Sequence, residues 1–307
     1  MKIVWGILVV VLLAVGGCGD TEQEHSQTAK RTDGKLTVLT VNYPLAYFAD
    51  RLGGEHVAAS YPGPIDRDPA FWNPSADDVS AFQAADLVLL NGATYAKWVP
   101  KVTLPSSKLV NTSAELSDRY ITVMDAETHA HGPGGEHAHA GTAFTTWLDL
   151  TMAMAQARAI RDAFTAARPA QAEFFAAQYK DLTRDLVDLD HRLTTLTSGQ
   201  DDRPLVASHP VYQYFARRYD LNLEAVMWEP SEVPGGRQWE ELRRLLEQHP
   251  AEWMIWEGEP AGESVSRLET LGVQSLVVDP CATPPATGDF LDVMEANVAA
   301  LAAAFQD

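Results

Sequence analysis

Four of the nine histidines, His129, His131, His137 and His139, fall within eleven residues, in a Gly- and Ala-rich stretch reading ETHAHGPGGEHAHAGTAFTTW over residues 127–147. Neutral imidazole is the commonest side-chain ligand for zinc and its neighbours, and two H-x-H pairs without apolar periodicity have no evident packing task. A metal is therefore the first chemistry to consider; the alternative is a solvated loop whose histidines do nothing specific. A second group of donors stands at the ends of expected strands. His209 closes PLVASHP, Glu229 and Glu232 close LNLEAVMWEPSE, Glu257 and Glu259 close AEWMIWEGEP, and Asp279 closes VQSLVVDP. Open α/β sheets bind ligands outside the carboxyl ends of their strands, so these oxygens and one imidazole can converge. Each also has a plainer reading: a core or capping histidine, a turn aspartate before Pro280, surface glutamates.

The elements that must position these groups follow from periodicity. LTVLTVNY reads as a strand, PLAYFADRLGG as a helix closed by glycines, HVAASYPG as a second strand, and DPAFWNPSADDVSAFQAADLVLLNG as loop, helix opening near Ser75 and Asp78, and buried strand. Beyond the His-rich stretch the pattern turns helical, with Pro169 restarting a helix that continues to Gly199, and strand–helix alternation then resumes to the end. The expectation is an α/β protein with two lobes of parallel-type βα sheets, joined by one long helix, and a ligand cleft between the lobes. Boundaries are set at 1–17 for a leader, 18–34 for a tether, 35–168 for the first lobe with the His-rich loop at 127–143, 169–198 for the linking helix and 199–307 for the second lobe.

Composition narrows the partners. The formal charge of −19 argues against nucleic acid or an anionic membrane surface and favours cations. MKIVWGILVVVLLAVGG has the form of a secretory leader, too short to span a bilayer with proper flanks, and it ends before Cys18 in V-G-G-C. That ending resembles a bacterial lipobox, which makes Cys18 the expected lipidation site and the polar residues behind it a tether. Cys281 is the only other cysteine, so no disulfide is expected within the fold. No G-x-S-x-G elbow, phosphate-binding G-x-x-x-x-G-K-[ST] loop or H-E-x-x-H helix is present, and no enzyme is expected.

Taken in order, VNYPLAYFADRLGG, AADLVLLNGATYAKWV, TWLDL, SHPVYQYFARRYDL, VVDP and DFLDVMEANVAALAAAF resemble the signature segments of the zinc/manganese solute-binding proteins of ABC transporters, over nearly the whole chain from Lys35 to Phe305. The resemblance implies a metal held between two lobes bridged by a long helix and delivered to a membrane permease. Of the family's four ligand positions, His209 and Asp279 are retained, whereas Ala70 and Thr145 stand where histidines are usual. Neither offers zinc a good donor. Three arrangements follow. His137 and His139 fold into the cleft and rebuild the site with His209 and Asp279; or Cys281 joins a softer site; or the cleft takes a non-metal ligand against Phe71, Trp72, Trp228 and Trp256. His129, His131, Glu229, Glu259 and Thr145 complete the candidate set. The expected protein is a monomeric, lipid-anchored, extracytoplasmic binding protein whose partner is an ABC permease and whose favoured cargo is zinc; a metallochaperone or adhesin-like surface protein of the same fold is the other reading.

Overall fold

Alternating β-branched and apolar residues in LTVLT form the central strand of the first lobe, β1 (Leu36–Thr40), buried on both faces. Asn42 turns the chain into helix α1 (Tyr43–Gly53) by accepting the Leu45 N–H on its side chain, with Pro44 in the first turn. The helix stops at Gly54, where φ is +49° and a Cβ would come within 2.9 Å of the Phe174 ring. Strand β2 (Val57–Ser60) follows; Ser75 and Asp78 then form a reciprocal capping box that opens α2 (Ala76–Ala84), and the buried run LVLL makes β3 (Leu87–Leu90). A short strand β4 (Leu109–Asn111), too brief to register in the sequence pattern, completes a parallel sheet in the order β2-β1-β3-β4.

The computed structural model describes residues 34–65, 67–123 and 141–305, and the backbone of 128–130 and 136–138. The His-rich stretch, expected as an irregular loop, takes part in two short antiparallel ladders, one of them with a strand that precedes it. β5 (Thr122–Val123) pairs with β8 (Gly141–Thr142), and β6 (Thr128–Ala130) pairs with β7 (Glu136–Ala138), with His129 opposite His137. The physical reason is visible in the sequence: the triplets T-H-A and E-H-A alternate with period two around H-G-P-G-G, which is turn composition.

Asp149 caps α3 (Leu150–Ala167), and Pro169 separates it from the 26-residue α4 (Ala172–Thr197), about 39 Å long at 1.5 Å per residue. The buried side of α4, Phe175, Leu182, Leu186, Leu189 and Leu193, recurs at three- and four-residue intervals and packs on α1 and α3. The second lobe then builds β9 (Pro204–Ala207), α5 (Gln213–Tyr219), β10 (Asn222–Ala225), α6 (Gly236–Gln248), β11 (Trp253–Trp256), α7 (Gly262–Glu269), β12 (Gln274–Val277) and α8 (Phe290–Phe305). Its parallel sheet runs β10-β9-β11-β12, the order of the first sheet, and α8 returns to pack on α4. One apolar cluster therefore runs from β1, α1 and α4 through Leu205 and Ile255 to α8.

A second cluster fills the other face of the second sheet, and it contains Trp228 and Trp256 together with Trp239. Trp228 is 2% exposed and Trp256 fully buried. Of the two readings open to them, a pocket wall or the core, both rings take the core, as strands of a parallel sheet buried on both faces require, and neither lines the cleft. Among the described residues no helix is long and apolar enough to cross a membrane.

Candidate metal-binding cleft

In a sheet ordered 2-1-3-4 the chain leaves the central strand in one direction and returns on its other side, opening a crevice between the first and third strands. In the second lobe that crevice lies between β9 and β11. Backbone bonds continuing past the strands hold its rim: Ser208 N–H donates to Ile255 O at 2.8 Å, Trp228 N–H to Ser208 O at 2.7 Å and Val278 N–H to Trp256 O at 2.8 Å. Each bond sets the residue that follows. His209, Glu229, Glu257 and Asp279 thereby emerge side by side from four different strands, and all four line a cleft of about 990 Å³ between the lobes.

Three of them form a tight cluster. One ligand atom each from His209, Glu229 and Glu257 lies within 4.8 Å of the others, and His209 Nδ1 is 3.5 Å from Glu229 Oε1. Zinc–ligand bonds of about 2.0–2.2 Å give a tetrahedral edge of about 3.4 Å, so the His209–Glu229 edge already has the required length, with a Glu257 oxygen within 4.8 Å of both. Burial pushes the Glu257 carboxyl well above its ordinary range, and the negative charges of Glu229, Asp68 and Asp279 push it further. Asp279 is also raised by burial, partly offset because its Oδ1 accepts the Cys281 N–H at 2.7 Å. Its backbone is clamped on both sides by Asn297 of α8, which accepts the Asp279 N–H at 2.9 Å and donates to its carbonyl at 2.7 Å. Asp68, on the opposite wall, caps a short 3₁₀ turn through the Ala70 N–H at 2.8 Å. With Glu232, five carboxylates and one buried imidazole line the cleft against a single guanidinium, Arg67, a balance that favours cations.

The first-lobe wall is chemically different. Ala70 is fully buried and offers no donor. Thr145 lines the cleft, but its hydroxyl donates to the Val211 carbonyl, where it joins the two lobes. Two further bonds do the same work: Trp147 Nε1–H to Pro280 O at 2.7 Å and Tyr214 O–H to Ala143 O at 2.8 Å. The strand ends that could have presented ligands here, at Asn42 and Asn91, are sealed in a buried amide network with Gln156 and Thr146. Phe71, Trp72, Tyr95 and Phe144 share the rest of this wall with Arg67, Asp68 and Asn73.

Of the residues singled out from sequence, His209, Glu229, Glu232, Glu257, Asp279, Thr145, Phe71 and Trp72 therefore lie on the cleft. Glu259 is exposed and outside its lining, beyond the bend at Gly258, whereas Glu257, two residues earlier, lines the cleft. Cys281 is 1% exposed and outside the lining, in a left-handed conformation at φ +56°, with its Sγ 3.9 Å from the Thr283 carbonyl. Burial and the charge of Asp279 push its thiol up, away from the thiolate a metal requires. His129 and His137 lie on the paired backbone of β6 and β7, and His131, His139 and Cys18 fall outside the described residues.

Comparison with known proteins gives a consistent picture. The family profile described as ZnuA, zinc-uptake complex component A periplasmic, matches residues 38–304. The zinc-binding lipoprotein AdcA of Streptococcus pneumoniae (strain ATCC BAA-255 / R6) is 26% identical over 285 residues, covering 89% of this chain and 56% of that protein. The high-affinity zinc uptake system protein ZnuA of Bacillus subtilis (strain 168) is 22% identical over 265 residues, covering 82% and 79% respectively. The chain thus spans about half the length of the first relative and most of the second. In fold, the Zn(II)-bound ZnuA-like domain of Streptococcus pneumoniae AdcA superposes with a TM-score of 0.75 at 22% identity, over 89% of this chain and all of that domain.

Proposed function

The chain belongs to the zinc-uptake complex component A family, and from that premise we propose that it is an extracytoplasmic solute-binding protein that captures a divalent metal, zinc foremost, for an ABC importer. Its work is binding: deprotonated side chains in the cleft take the ion, and docking on a permease releases it. The observation that carries this reading is the convergence of His209, Glu229 and Glu257 within 4.8 Å on one crevice, with Asp279 beside them. These carboxylates supply donors where Ala70 and Thr145 supply none, so the ion is held chiefly from the second lobe. Imidazole with carboxylates is a known zinc-site composition.

In this reading residues 1–17 are a leader, Cys18 carries a lipid anchor, 18–34 tether a monomer to the membrane, 169–198 link the lobes 35–168 and 199–307, and the histidines of 127–143 raise the local concentration of metal. The zinc-binding names of relatives and the acidic cleft favour a cation over other cargo. Isothermal titration of the purified protein with zinc tests the proposal. One tight site is expected, lost in His209→Ala/Glu229→Gln; tight binding that survives this pair, or no binding in the parent, overturns it.

A further inference from the structure

Asp279 belongs to a segment that is held from both lobes. On its N-terminal side, Val278 N–H donates to Trp256 O at 2.8 Å and Val278 O accepts the Tyr212 hydroxyl at 2.7 Å. Asn297 of α8 takes both backbone groups of Asp279 itself. On its C-terminal side the partners come from the first lobe. The Trp147 indole N–H donates to Pro280 O at 2.7 Å, and Tyr43 N–H donates to Ala282 O at 3.0 Å. Tyr212, Asn297 and Trp147 are all buried, so water does not compete for these bonds.

The same bonds seat the carboxyl. Cys281, between Pro280 and Ala282, is a non-glycine residue at φ +56°, a left-handed conformation that persists where the surroundings impose it. There its N–H turns back onto Asp279 Oδ1 at 2.7 Å, so the side chain is oriented by the turn that Trp147 and Tyr43 hold. Asp279 lines the cleft but lies outside the 4.8 Å group of His209, Glu229 and Glu257. Whether such a carboxylate meets an ion is decided by where its backbone sits, because a binding constellation tolerates only about 0.5 Å of error. Groups that orient a metal ligand without touching the metal are worth about 10–100-fold in affinity.

We infer that Trp147 and Asn297 are positioning residues of the metal site, which seat the Asp279 carboxylate as a donor to the ion from opposite sides of its backbone. The inference rests on the metal reading above and gives the first lobe a part in it: with Ala70 and Thr145 where ligands could stand, that lobe acts on the ion through Trp147 and Pro280. Neither Trp147 nor Asn297 touches the metal. Their effect on zinc therefore exists only while residue 279 carries a carboxylate.

A double-mutant cycle, with zinc affinity of the purified full chain read by chelator competition, tests this. Trp147→Phe keeps a ring beside Tyr95 and removes the donor to Pro280; it should weaken zinc binding about tenfold, and Asn297→Leu likewise. Asp279→Asn retains an acceptor for the Cys281 N–H and should weaken binding at least as much. Adding Trp147→Phe or Asn297→Leu to Asp279→Asn should then change the affinity by less than about twofold, whereas a purely structural role makes the losses multiply. Circular dichroism establishes which variants fold, and either positioning variant suffices for the cycle. If a folded positioning variant binds zinc as the parent does, if the losses multiply, or if Asp279→Asn is silent, the positioning role is overturned, while a tight site lost in His209→Ala/Glu229→Gln keeps the metal reading. No zinc binding in the parent overturns both.

Discussion

Replacing Glu257 by glutamine should raise the stability of the metal-free protein and, in the same molecule, lower its response to zinc. The substitution keeps the volume and removes one charge from a group that sits against Glu229, Asp68 and Asp279 in a buried setting. Because the folded state raises the pKa of Glu257, its protonated form is favoured by folding. That contribution is present below the unfolded value and is lost as pH rises through the folded one, so the metal-free protein bears at higher pH the cost of holding this carboxyl in a buried site beside Glu229, Asp68 and Asp279. Glutamine removes that cost, and the metal-free Tm should rise at pH 7–8 and converge with the parent's near pH 4.

With zinc the sign reverses. Losing a buried charged partner costs about 3–5 kcal/mol, or about 10²–10⁴-fold in Kd. At zinc a thousand times the parent's Kd, binding stabilises the parent by about 4.1 kcal/mol; a hundredfold weaker variant gains only about 1.4 kcal/mol. The difference of about 2.7 kcal/mol corresponds to about 5–11 °C less zinc-induced Tm shift for a protein of this size. Differential scanning fluorimetry with and without zinc reads both arms. A variant whose metal-free Tm falls, or whose zinc-induced shift equals the parent's, refutes the placement of Glu257 on the ion.

Zinc binding should release protons, since Glu257 and Asp279 both titrate above the ordinary carboxylate range in the metal-free cleft. Titrations in buffers of different ionisation enthalpy should show net release and an affinity that falls steadily on acidification; a pH-independent affinity would count against carboxylate ligation. Thr145→Val removes the hydroxyl that joins the lobes at Val211, and should cost about 1 kcal/mol of stability in chemical denaturation with zinc affinity within about twofold of the parent. A large loss of affinity at unchanged stability would instead make Thr145 a ligand. Replacing His137 and His139 by alanine should leave the tight site intact and reduce only weaker, additional zinc equivalents in equilibrium dialysis. Loss of the tight site would move these histidines into the first coordination sphere.

Much of the frame was legible because periodicity and strand order determine where a parallel α/β lobe gathers ligands. LTVLT, LVLL, PLVA and WMIW announce strands, and from strands in that order His209 and Asp279 follow as residues just beyond a carboxyl edge. Which glutamate follows does not. Glu257 and Glu259 are two residues apart, and only the turn at Gly258 decides that the first faces the cleft and the second the solvent. Glu229 lies four residues past β10 and is returned to the crevice by the Trp228–Ser208 backbone bond, a contact across separate segments. Trp228 and Trp256 were ambiguous for a related reason: a strand buried on both faces gives no sign of which face meets the ligand. Asp68, two residues before Ala70, carried no signal of its own in the sequence, yet it lines the cleft and the fully buried Ala70 does not.

The central claim is that the ion sits on the second-lobe crevice. Diffraction from zinc-loaded crystals at the zinc absorption edge tests it most directly. One strong anomalous peak is expected about 2.0–2.2 Å from a His209 ring nitrogen and from carboxylate oxygens of Glu229 and Glu257. A principal peak on the histidines of 127–143, with the crevice between β9 and β11 bare, would contradict it.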